Sequence, residues 1–133
     1  MQYSDYDIRM KSFYEKRDVT YLTRRVPVIV RVDGKCFSSF CKRFQKPYDE
    51  FLNRSLNAVM YKLCSDIQGC KFAERHSDEI SLLLTDYDSI DTDCYFDYKV
   101  QKICSVVAGV ATAEFCRQLV KHNIRSRSQD GIE

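Results

Sequence analysis

The sequence predicts an α+β domain, a small mixed or antiparallel sheet with helices on one face. Three observations predict it. An apolar run of period two fills residues 26–32, a helical stripe follows from Asp49 to Ile67, and two short strands precede a second long helix. The order is β-α-β-β-α, with one crossover and one antiparallel hairpin. A ferredoxin-like unit needs one more strand after the second helix, and residues 121–133 do not offer it. The 133 residues and 15.7 kDa fit one domain, and 44% hydrophobic with 30% charged residues is ordinary globular composition. That excludes a disordered tail protein, a fibre or a linker.

In the first strand, Val26 to Val32, the side chains of Val28, Val30 and Val32 fall on one face and Ile29 and Arg31 on the other. Asp33-Gly34 ends it, either as a simple turn or as a carboxylate at a strand tip beside a loop whose backbone approaches a ligand. Before it, Arg9 to Glu15 reads as helical, and Thr23-Arg24-Arg25 with Pro27 as a break. Residues 35–48 interleave Lys35, Lys42, Arg43 and Lys46 with Phe37, Phe40, Phe44 and Tyr48. Asp49 then caps a helix whose Leu52, Leu56, Val59, Met60, Leu63, Cys64 and Ile67 form a core stripe. Gly69 lies just beyond its end. Cys70 to Ala73 and Glu79 to Leu84 are strands around a charged tip, Arg75-His76-Ser77-Asp78, with Ile80, Leu82 and Leu84 on the Asp78 face. Residues 86–93 form a loop with four Asp whose spacing does not match an EF-hand. The second helix is expected from about Asp97 to Val120, with Ile103 to Ala111 buried on most sides. Residues 121–133 are expected to be a polar, disordered tail.

Net charge is +2, but residues 51–98 carry 4 Lys/Arg against 9 Asp/Glu, between basic flanks with 11 against 7 and 6 against 3. Such a pattern suits a protein that holds both phosphates and metal ions, and it also suits a mixed solvated surface. Seven cysteines without a Cys-x-x-Cys, and no signal segment, point to reduced thiols, most of them acting as small buried hydrophobes, in a cytoplasmic protein. No uninterrupted apolar stretch reaches the ~18–20 residues of a membrane helix, so no membrane partner is expected. Two histidines, neither at zinc-finger spacing from a cysteine pair, speak against structural zinc.

Two motifs carry chemistry: Arg31-Val32-Asp33-Gly34 at a strand end and Ser77-Asp78-Glu79 at a hairpin. In a split β-α-β sheet the first strand and the hairpin lie side by side, which lets Asp33 and Asp78 approach each other. Two nearby carboxylates repel, and a divalent cation relieves the repulsion. Mg²⁺ favours one or two carboxylates with phosphate and water oxygens, and a pair of such ions suits phosphoryl chemistry. Each motif alone also reads as an ordinary turn or cap.

Four motifs then occur in order. They are Val28-Ile29-Val30-Arg31-Val32-Asp33-Gly34-Lys35-x-Phe37, Lys46-Pro47-Tyr48-Asp49-Glu50 with Phe51 and Leu52, His76-Ser77-Asp78-Glu79-Ile80-Ser81-Leu82, and Val100-Gln101-Lys102-Ile103-Cys104-Ser105. Over residues 9–118 the series resembles the tRNA(His) guanylyltransferase family, particularly its bacterial and phage-like members, which add nucleotides to RNA 5′ ends in the 3′→5′ direction. The resemblance implies a polymerase-palm fold over residues 1–120, cut short before the last palm strand. It implies that Asp33, Gly34 (through its carbonyl) and Asp78 bind two Mg²⁺ ions, with Glu79 as a supporting acid. It places Lys35, Cys36 and Phe37 at the phosphates by their backbone, Ser77 in the nucleotide motif, and Lys46 and Lys102 near the triphosphate. The implied substrates are GTP, ATP and other nucleoside triphosphates and a tRNA or other RNA 5′ end. The implied state is a homo-oligomer, dimer or tetramer. Two departures stand out: His76 where the family usually has Gln, and Glu74 where an aromatic is common. An inactive nucleotide- or RNA-binding remnant, or an assembly partner of a full-length homologue, remains an alternative reading.

Overall fold

The computed structural model describes residues 4–44 and 49–130. An N-terminal helix, α1 (Asp5–Met10), continues into one π-helical stretch at Lys11–Glu15. Ser4 and Asp7 form a reciprocal capping box that satisfies its first amides. Then come β1 (Val28–Val32), a short α2 (Phe37–Cys41), α3 (Glu50–Asp66), β2 (Cys70–His76), β3 (Glu79–Leu84), a 3-10 turn (Tyr95–Tyr98) and α4 (Val100–Asp130).

The sheet has the order β1-β3-β2 and is antiparallel throughout. Val28 pairs with Leu84 and Val32 with Ile80, while Cys70 pairs with Leu84 and His76 with Glu79 across the other edge of β3. α3 and α4 pack on each other, α3 also on β2 and α4 on β1. This is the expected helical layer on one face. Ile80, Leu82 and Leu84 point into it and are buried, meeting Val59 and Leu63 of α3 and Ile103 and Val107 of α4. The other face is bare: Ile29 is 69% exposed and Phe72 56%.

Tight local geometry fixes the connections. Asp49 accepts the Leu52 amide at 2.9 Å and caps α3, as its position predicts. Gly69 takes φ +81°, and a Cβ there would lie 2.5 Å from the Thr85 carbonyl oxygen. A glycine is therefore required at the turn into β2. The hairpin turn is Ser77-Asp78, two residues long, with Ser77 at φ +58°. A left-handed first residue matches the twist of the two strands.

Asp86 opens the acidic loop but is fully buried. Its carboxylate accepts Arg24 Nε at 2.6 Å and the Arg25 amide at 2.9 Å. Arg25 itself holds φ +64° and donates its guanidinium to the carbonyls of Asp86, Ser89 and Ile90. Burial alone raises the Asp86 carboxyl; the Arg24 hydrogen bond, the Arg25 amide and both positive charges overcome it and hold the group below its ordinary value. This clamp ties the entry of β1 to the exit of β3.

Several expectations need correction. β1 begins at Val28, since Pro27 cannot donate to a ladder. α2 lies within a stretch that showed no helical period. α4 begins at Val100 and continues to Asp130, so residues 121–130 are helical rather than a disordered tail. Ile103, Val107 and Ala111 are buried, whereas Cys104, Ala108 and Gly109 are exposed, so the apolar middle of α4 hides one stripe only. The segment Val100–Asn123 is long and apolar enough, by length and composition, to cross a membrane. Here it carries the buried Glu114, paired with Arg117 at 2.6 Å, and its inner stripe belongs to the core. Of the seven cysteines only Cys94 is buried; Cys36, Cys104 and Cys116 are exposed.

Hydrogen bonds from Arg117 outweigh burial at Glu114 and, with Gln118, hold its carboxyl at about 2 against an ordinary 4.5. A depressed folded-state value contributes stability that is complete above pH about 4.5 and is lost as pH falls towards 2. Urea unfolding midpoints should therefore drop across that window, and Glu114→Gln should flatten the slope there while lowering the midpoint at pH 7.

Candidate functional site

The end of β1 and the β2–β3 turn meet over a cavity of about 470 Å³. β1 and the segment after it contribute Val32, Asp33, Gly34, Lys35, Phe37 and Phe40, and the hairpin contributes Asp78 and Ile80. Leu56 and Val59 of α3 form one wall; Ala108, Ala111, Thr112 and Phe115 of α4 form another. The antiparallel register explains the meeting. Val32 is paired with Ile80, so the residues just beyond them, Asp33 and Asp78, leave adjacent strands at the same end of the sheet.

Gly34 is what lets them come close. A Cβ on it would lie 2.6 Å from the Phe37 ring and 2.8 Å from Asp78 Oδ2. The absence of a side chain thus lets an acid and an aromatic ring press against this backbone. Phe37 in turn begins a row of rings: it packs on Phe40 at 5.5 Å and edge-on to Phe115 at 5.6 Å, and Phe40 contacts Phe44 at 5.3 Å. The aromatic interleaving of residues 37–44 is therefore the anchor of α2 onto α4. α2 starts at Cys36, which is left-handed at φ +52° and accepts the amides of Ser39 and Phe40.

The hairpin turn has its own support, which the sequence did not reveal. Arg75 donates Nε to Asn57 Oδ1 and Nη2 to Asn53 Oδ1, both at 2.9 Å, and Nη1 to the Ser77 carbonyl at 2.5 Å. One guanidinium thus ties the turn that bears Asp78 to two turns of α3. In the sequence Arg75 reads only as a charge at a hairpin tip; Asn53 and Asn57, spaced by one helical turn, were the available signal.

Among the predicted residues, Asp33, Gly34, Lys35, Phe37 and Asp78 line one cavity. Cys36 lies between two of them and is exposed. Ser77 forms the turn, with its carbonyl held by Arg75. Glu79 faces the other side of the sheet, where Arg31 Nε binds it at 2.8 Å. Lys102 does not line the cavity; its ammonium stands 5.4 Å from the Phe96 ring centre. Lys46 lies outside the described residues. The described residues contain no cluster of three or more His, Cys, Asp or Glu side chains able to hold a metal. Two carboxylates beside a glycine backbone form a sparse oxygen donor set. That set fits Mg²⁺, which keeps waters and substrate phosphates in its shell.

A family model described as tRNAHis guanylyltransferase matches residues 7–131. The chain belongs to the tRNA(His) guanylyltransferase family. Two solved structures of bacterial tRNA(His) guanylyltransferase-like protein, one in complex with GTP and one with ATP, are each 39% identical to it. They superpose with TM-scores of 0.82 and 0.83 over 87% of this chain, and the match covers 55% and 50% of theirs. An uncharacterized protein of Acanthamoeba polyphaga mimivirus is 28% identical over 137 residues, 94% of this chain and 45% of its own length. The chain thus spans about half the length of the guanylyltransferase relatives it matches.

Two substitutions report on this site. Gly34→Ala should leave a folded protein with a lower thermal unfolding midpoint, because the added methyl must displace Phe37 and Asp78 at the cavity. Arg75→Met should loosen the turn, and hydrogen exchange should show faster exchange at Ser77 and Asp78 than in the parent, with the α4 amides unchanged.

Proposed function

We propose that this chain carries the catalytic palm of a metal-dependent nucleotidyltransferase that extends RNA 5′ ends, tRNA among them, in the 3′→5′ direction. The observation that carries the reading is the meeting of Asp33, Gly34 and Asp78 in one cavity. The GTP and ATP complexes of the two bacterial relatives support it. Asp33, Asp78 and the Gly34 carbonyl would hold two Mg²⁺ ions. These would supply charge neutralisation at the phosphates and acidify an attacking hydroxyl.

The protein's own groups do the rest. Lys35 brings a cation to the cavity lining and offsets phosphate charge. Phe37 and Phe115 close its apolar side and exclude water from the reacting phosphates. The reaction is attack by the 3′-hydroxyl of an incoming nucleoside triphosphate on the 5′ phosphate of the RNA. A 5′-triphosphate end releases pyrophosphate; a 5′-monophosphate end first accepts an adenylyl group from ATP, whose pyrophosphate is released, and the adenylyl group later leaves as AMP. Glu79, bound to Arg31, steadies the hairpin from the opposite face. Lys46 and Lys102 remain proposed phosphate contacts made once RNA and nucleotide are bound. We also propose a homo-oligomer, because Tyr6, Ile8 and Phe13 of the N-terminal segment and Val120 of α4 are exposed. A cytoplasmic location is proposed with it, on the pattern of seven cysteines without a disulfide.

The decisive assay is transfer of a radiolabelled nucleotide to a tRNA that lacks its 5′ nucleotide. Activity that requires Mg²⁺ or Mn²⁺ and falls at least 100-fold in both Asp33→Ala and Asp78→Ala is expected, roughly the scale of losing groups essential to transfer. Normal activity in both variants would refute the assignment. Mg²⁺-dependent nucleotide binding without transfer would identify a binding module instead.

A further inference from the structure

Outside this site, two sulfurs stand side by side. Cys64 lies in the last turn of α3 and Cys70 opens β2, with their Sγ atoms 3.2 Å apart. The backbone between them is held on both sides. The Ile67 amide donates to Leu63 at 3.0 Å, the Cys70 amide to Ile67 at 3.2 Å, and Thr85 to Gly69 at 2.9 Å. The only left-handed residue of that link is the glycine that cannot be replaced without striking Thr85. Helix end and strand start therefore keep the two thiols together instead of leaving the meeting to chance. Both side chains are half-buried.

We propose that Cys64 and Cys70 form a reactive dithiol that hydroperoxides close to a disulfide, a modification site independent of the nucleotide cavity. Closure brings the sulfurs about 1.2 Å nearer, to the ~2.05 Å of an S–S bond. The Cys64 thiolate attacks one peroxide oxygen, the O–O bond breaks, and hydroxide leaves, so that Cys64 becomes a sulfenic acid. Cys70 then attacks the Cys64 sulfur; the S–O bond breaks and the oxygen departs as water. Two thiols have lost two electrons and two hydrogens, and one hydrogen peroxide has become two waters. Burial, and then the Cys64 contact, push the Cys70 thiol up to about 12. The proposed order has Cys64 attacking and Cys70, raised by burial, resolving.

Trypsin cuts after Lys62 and Lys71, so one peptide, Leu63–Lys71, holds both cysteines. The reduced full chain is treated with one equivalent of hydrogen peroxide, alkylated and digested. The expected product is this peptide, unalkylated and lighter by two hydrogens, returning to the dialkylated form after dithiothreitol. A cut before Asp66 should leave its two halves joined. In Cys70→Ser, Cys64 should be trapped as a sulfenic acid by a cyclic dione; in Cys64→Ser, Cys70 should stay reduced. The proposal is overturned if, on raising the peroxide to excess, Cys36, Cys104 and Cys116 oxidise while both thiols of the wild-type peptide remain alkylatable. Loss of the Cys70 thiol in Cys64→Ser at the wild-type rate overturns it equally. The readout is covalent mass, so neither outcome depends on whether the chain transfers nucleotides.

Discussion

Everything in this fold hangs on β3. Among the described residues it is the one strand paired on both edges, and its Ile80, Leu82 and Leu84 form the floor on which α3 and α4 rest. Each of those side chains is at most 2% exposed, so the strand cannot slip without moving the core. Because β1 and β2 both take their register from it, β3 also sets where Asp33 and Asp78 emerge. Core packing and site geometry are therefore one constraint rather than two. Hydrophobic burial fixes the register, and the register aligns the acids.

A second constraint works at the far end of the sheet. Asp86 is a buried charge, and buried charges are tolerated where their partners are geometrically complete. Arg24, the Arg25 amide and the carbonyls that receive the Arg25 guanidinium make a closed set spanning sixty residues of sequence. The N-terminal segment reaches β1 through this clamp and through its pairing beside α4, where Leu22 donates to Tyr98 and Val100 to Thr20. The end of the sheet with the cavity keeps its acids, Asp33 and Asp78, exposed or half-buried. The other end keeps its acid permanently engaged.

Much of this was legible in the sequence, for identifiable reasons. The alternation of Val28, Val30 and Val32, the Asp49 cap and the Leu-rich stripe of α3 are local signals with a local cause. The pairing of the Asp33 and Asp78 motifs followed once strands and hairpin were placed. What stayed hidden is tertiary. The bonds from Arg75 to Asn53 and Asn57 join an edge strand to a helix. The clamp turns one of four loop aspartates into a core residue. Residues 103–111 of α4 are apolar on most sides, so composition could not say that the Ile103–Val107–Ala111 stripe is the buried one. Nor could a polar composition at 121–130 show that helical hydrogen bonds continue there; Lys, Arg and Gln are good helix formers. By contrast, that Glu79, next to Asp78 in sequence, faces the opposite side was legible, because strand neighbours alternate.

The two-residue turn at Ser77-Asp78 has a consequence for how this hairpin can vary. Its chemistry is permissive: the left-handed first position is comfortable for Gly, Asn or Asp, and nothing in the Arg75 contact reads the Ser77 side chain, only its carbonyl. Its count is not. One inserted residue would make either flanking strand present its opposite face, carrying Asp78 away from the cavity or turning Ile80 out of the core. For the backbone, replacing Ser77 is therefore a smaller disturbance than changing the length of the turn. The length of the loop is what keeps Asp78 at the cavity.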